Sequence, residues 1–217
     1  MLLPSIRNIG ISVFGTFIAL SHVLNAYDIS RKLPPRGALG VALDYSLVTD
    51  WPKEIHPSDN TVPRSWQFSS HLQFMASVDE ITDGQLWQIA RDAADEMFAD
   101  AAQYTITRKV PGAMAILAWG QEIILASSQK GLSFSYNYPG TRVLESLRLC
   151  QMSFTNSRLE HKNWGMCAEP MAAHLYYATT ATNLAAQHAR IGTWVLQKGG
   201  WKQTDPCGTQ VSNEHPR

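Results

Sequence analysis

Between residues 83 and 103 apolar side chains return every three or four positions: Leu86, Ile89, Ala90, Ala93, Met97, Phe98 and Ala101. That spacing puts them on one face of a helix, and Thr82 or Asp83 stands where an N-cap belongs. The pattern then changes. "AMAILAW" (113–119) and "EIILASS" (122–128) are nearly unbroken apolar runs on either side of Gly120-Gln121, which predicts a β-hairpin covered along its central stretch. Helical spacing resumes in "TRVLESLRLCQMSF" (141–154) through Val143, Leu144, Leu147 and Cys150, so Cys150 falls on a core face. A further helix begins near Cys167 and runs through "AEPMAAHLYYATTATNLAAQHA". Pro170 fits only in its first turn, where no amide hydrogen is required. "IGTWVLQ" (191–197) is a short β-rich run closed by "KGG", and a Pro206-Cys207 turn follows.

Before the first helix the pattern is weak. "RKLPPRG", "TDWPKEIHPSDNTVPRSW" and scattered aromatics make residues 27–82 an irregular segment, extended over a core without forming one. The order helix, strand, strand, helix, helix, strand predicts an α/β fold, a small mixed sheet with flanking helices, in one domain at 83–217. The chain has 217 residues, 45% hydrophobic and 17% charged, enough for one domain with a real core.

The first 26 residues read differently. Arg7 precedes the uncharged apolar stretch "IGISVFGTFIAL" (9–20), and small and polar residues lead to Ala26. This is the pattern of a secretory signal peptide cleaved after Ala26, and the run is shorter than the ~20 residues of a membrane helix. The expected product is secreted and has no membrane segment after cleavage. Formal net charge is zero, and no basic run tracks phosphates, so electrostatic capture of nucleic acid is not expected.

Three cysteines, Cys150, Cys167 and Cys207, leave an odd thiol beside any single disulfide. In "GMCAEPMAAH" (165–174) Cys167 stands two residues before Glu169 at a predicted helix start. Hydrolytic deamination needs a metal-bound water and a proton carrier that does not ligate the metal. Three protein ligands and an open position suit zinc, and a thiolate at a helix N-terminus is stabilised by the dipole. The deaminase signature is His-x-Glu followed by Pro-Cys-x-x-Cys. Each half alone is a short pattern that arises by chance. Read from the residues, Cys167 and Cys207 are zinc ligands, disulfide partners or core thiols, and Glu169 is a proton carrier or an ordinary first-turn Glu.

Cys167-Ala168-Glu169-Pro170, with Pro206-Cys207 after a strand, resembles the toxin-type branch of the cytidine deaminase-like superfamily over residues 83–211. The resemblance implies zinc as cofactor, Cys167 and Cys207 as ligands and Glu169 as proton shuttle. The family's last ligand falls on Gln210, and an amide oxygen is a poor replacement for thiolate at zinc. Cys150, His161 and His215 are the replacement candidates, and no spacing places any of them at the metal.

Two functions follow as expectations. One is a secreted deaminase-like protein, catalytically impaired, acting as an effector or binding protein on a host protein. The alternative is an active zinc-dependent deaminase of a nucleobase or nucleoside. His174, beside Tyr176 and Tyr177, reads as a packing residue. His161 reads as a solvated loop residue, and Trp194 and Trp201 as a cover for the sheet.

Overall fold

The computed structural model describes residues 27–50, 64–107, 109–131, 141–153 and 165–204. The expected signal peptide, Cys207, Gln210, His161 and His215 lie outside them, as does the side chain of Cys150.

The chain runs β1 (Ala42–Leu43), α1 (Tyr45–Asp50), β2 (Phe68–Gln73), α2 (Asp83–Gln103), β3 (Ala113–Trp119), β4 (Glu122–Ser127), α3 (Arg142–Ser153), α4 (Ala168–Thr179), β5 (Arg190–Gln197) and β6 (Gly200–Thr204). One six-stranded sheet, in the order β1-β2-β4-β3-β5-β6, joins all the strands, and the fold is α/β. Every described strand pairing is antiparallel, so the expected mixed sheet is corrected. For two of the five pairings the reason is in the connections: β3–β4 and β5–β6 are tight hairpins, which can only join antiparallel neighbours.

The apolar runs in β3 and β4 are continuous because both sheet faces are covered. Met114, Ile116, Ala118, Ile123 and Leu125 face α2, where Leu86, Ala90, Ala93, Ala94, Met97 and Ala101 pack on them. Ala115, Leu117, Trp119, Ile124 and Ala126 face α4, against Ala168, Met171, Ala172 and Tyr176. Each fully buried Leu, Ile or Met among these contributes about 1.5–3 kcal/mol, and each Ala less. Helix α2 starts with a full capping box: Gln85 N donates to Thr82 Oγ1, and the Gln85 side chain accepts from the Thr82 amide.

The segment expected to be irregular contributes two strands. Strand β2 pairs with β4 inside the sheet, and Val41, Leu43, Trp66 and Phe68 belong to the α2-side core. Residues 39–43, which leave a turn at Gly40 (φ 68°) and enter β1, are strapped to α2 by alternate amides. Leu39 N and Val41 N donate to Glu96, and Leu43 N donates to Asp100, at 2.8, 3.3 and 2.8 Å. Residues one helical turn apart on α2 thus satisfy three amides of this segment. Farther back, Leu33 N donates to Tyr104 Oη at 2.8 Å.

Two further differences have local causes. The helix expected to continue from Cys167 to Ala189 ends at Thr179. Thr179, Thr180 and Thr182 crowd the backbone, and Asn183 caps a separate short 3-10 turn, Leu184–Gln187. The strand closed by "KGG" is followed by a second one. Gly199 and Gly200 take φ of 101° and 114°, which reverses the chain and lets β6 pair with β5.

Candidate functional site

Helix α4 is the element that the sequence marks for chemistry, and its start is well defined. Cys167 is the N-cap, with extended backbone at φ −67° and ψ 157° and no side-chain cap hydrogen bond. Pro170 stands in the first turn, where its missing N–H costs nothing. The segment ahead of the helix is tied to the end of β4, since Gln129 N donates to Met166 O at 3.0 Å. Ala168, Met171 and Ala172 then bury the helix against β3 and β4. Cys167 is buried, with 7% of its surface exposed.

Glu169 is half-buried and turned toward the sheet. Its Oε1 accepts from the hydroxyl of Thr193 at 2.8 Å. Thr193 is buried in the middle of β5, opposite Ala115 of β3 on one side and Thr204 of β6 on the other. Glu169 stands in the first turn of α4, at the positive end of the helix dipole. The carboxylate therefore joins the first turn of α4 to the central sheet. Thr193 did not stand out in the sequence. Its signal is slight: a hydroxyl at the middle of the Ile191, Thr193, Val195 alternation, where an apolar residue would be expected on a covered face.

The β5–β6 hairpin bears on the second half of the expected site. Leu196 N donates to Gly112 O and Ser128 N to Ala113 O, so the end of β5 lies at the same end of the sheet as the start of α4. The turn at Lys198-Gly199 occupies that end, and β6 then runs back until Thr204 faces Thr193. A further strand, β6, thus follows β5 before Pro206 and Cys207, which lie outside the described residues.

The fit to zinc can be tested on the described residues. Of the implied ligands only Cys167 is among them, and it supplies one of the three protein ligands a zinc centre takes. Among the described residues no three His, Cys, Asp or Glu side chains stand together as a metal site would require.

A buried carboxyl and a half-buried imidazole lie elsewhere. Asp100 is fully buried on α2, and that burial raises its carboxyl pKa above 3.8, against the lowering effect of the Leu43 amide, the Gln103 side chain and Arg36. His174, on α4, is pulled below its ordinary 6.5 by burial, and the charge of Asp44 only partly opposes this.

Comparison with protein-family models, with curated proteins and with solved structures returned no match.

Proposed function

We propose that the chain is a secreted effector-type binding protein on a deaminase-like scaffold, in which Glu169 has become a structural residue. The observation that carries this is the Thr193–Glu169 contact at 2.8 Å. A proton shuttle must face the atoms that react, whereas this carboxylate takes a hydroxyl hydrogen bond from β5. The scaffold is supported by the order α2, β3, β4, α4, β5, with β3 between β4 and β5 and the helices on opposite faces. The hairpin turn at Lys198-Gly199, at the helix-start end of the sheet, supports the loss of the reaction. Secretion rests on the apolar stretch 9–20 and the small residues before Tyr27.

A second reading, an active zinc-dependent deaminase of a nucleobase or nucleoside, is favoured by Cys167 as N-cap two residues before Glu169. One experiment separates the two. The purified protein is supplied with zinc and incubated with cytosine, adenine and their nucleosides, and ammonia is measured for wild type and Glu169→Ala. The binding-protein reading expects no release above the blank from either. One zinc per chain with release that disappears in Glu169→Ala would overturn it.

A further inference from the structure

At the far end of α4 from Glu169, a cleft of about 480 Å³ opens between the first turn of α3 and the last turns of α4. That is within the size range of small-molecule sites. Among the described residues that line it, Arg142 is the one charged side chain if His174 is neutral, and none is a carboxylate. The guanidinium is held in place twice. Nη1 donates to Ala181 O at 2.7 Å, and the group lies 5.1 Å from the centre of the Tyr177 ring. Tyr177 is itself fixed, because its hydroxyl accepts from Leu184 N at 3.2 Å. A guanidinium has five N–H donors, and Ala181 uses one. Among the described residues no carboxylate forms an ion pair with Arg142.

The surroundings point the same way. Thr141 caps α3, so the positive end of a 12-residue helix opens on the cleft beside Arg142. Burial lowers the pKa of His174, so in the wall it acts as a neutral hydrogen-bonding group. Thr179 and Thr180 add hydroxyls, and Val143 and Ala178 add apolar surface. The carbonyl end of α4 opposes an anion, but Ala181 O there already faces Arg142.

We propose that this cleft binds a small molecule with a flat apolar body and one oxyanion, carboxylate or phosphate, through Arg142. The fork geometry of a guanidinium suits both groups, and the cleft is too large for a bare ion.

The test uses three probes of one shape: benzoate, phenyl phosphate and uncharged benzamide. Each is titrated into the full-length protein and followed by backbone amide NMR shifts. Saturable shifts at 141–143 and 177–181 are expected with benzoate or phenyl phosphate, and the stronger binder tells which oxyanion is preferred. Benzamide should give none. Arg142→Gln should weaken binding about tenfold, and Arg142→Lys, which keeps charge and stem but loses the fork, should fall between. If Arg142→Gln disturbs the α3–α4 packing, seen as shifts throughout both helices, Arg142→Lys decides. No saturable shift with either anion, equal binding of benzamide, or wild-type affinity in the deciding variant overturns the proposal.

Discussion

The hydroxyl of Thr193 donates to Oε1 of Glu169 across 24 positions of sequence, and so fixes the start of α4 on the central sheet. A partly buried hydrogen bond to a charged acceptor contributes about 1.5–3 kcal/mol. Thr193→Val is expected to lower stability by about 1–2 kcal/mol, and Glu169→Ala by a similar amount. The double variant should lose less than the sum, with a coupling of about 0.5–1.5 kcal/mol. Urea denaturation of the four proteins measures it, and simple additivity would show that the contact stabilises nothing.

Asp100 makes acid less damaging than it would otherwise be. Its folded pKa is raised above 3.8, so its contribution is fully present below that value and is lost as pH rises through the folded pKa. Asp100→Asn keeps an acceptor for Leu43 N and removes a buried charge. Relative to wild type it should be more stable at pH 7 than at pH 3, in urea midpoints taken at both. An unchanged difference between the two pH values would contradict this.

His174 acts in the opposite direction. Its folded pKa is depressed below 6.5, so its contribution is present above 6.5 and is lost as pH falls through the folded value. Wild type should therefore lose stability between pH 7 and pH 5 that His174→Gln does not lose. Thermal melts of both proteins across that range provide the check.

Gly131 has no room for a methyl group. A Cβ there would stand 2.5 Å from Ser65 Cα and 2.7 Å from Arg64 O, at a φ of +151°. Because the obstacle is backbone, Gly131→Ala should cost about 2 kcal/mol or more. Gly192→Ala meets the Trp87 ring at 2.8 Å, and a side chain can move aside. Its melting temperature should fall less than that of Gly131→Ala.

The elements with strong periodicity were legible. Helix α2, the β3–β4 hairpin and β5 were placed to within one residue, because an amphipathic face or a covered apolar run leaves a pattern. Strand β2 was hidden: "FSSHLQ" buries Phe68 and half-buries Leu72, and between them Ser70 is satisfied by Leu39 O. Its buried side looks polar because its partner is backbone. Strand β6 was hidden for another reason. It is an edge strand with exposed Lys202 and Gln203, and its one anchor is Trp201 against Phe98 at 5.9 Å. At the candidate site, Pro170 marked the helix start, but nothing local marked Thr193 as the partner of Glu169.

The strap on α2 reverses the order in which the chain can be completed. Leu43 reaches its partner Asp100 only across 57 positions, and Leu33 reaches Tyr104 across 71. Residues 33–43 are made before α2, and the amides of Leu33, Leu39, Val41 and Leu43 have no acceptor until the helix and its C-cap exist. At roughly 5–20 residues per second that delay is about 3–15 seconds, during which the amides of the strap are bonded only to water. This segment is therefore secured only by residues made well after it.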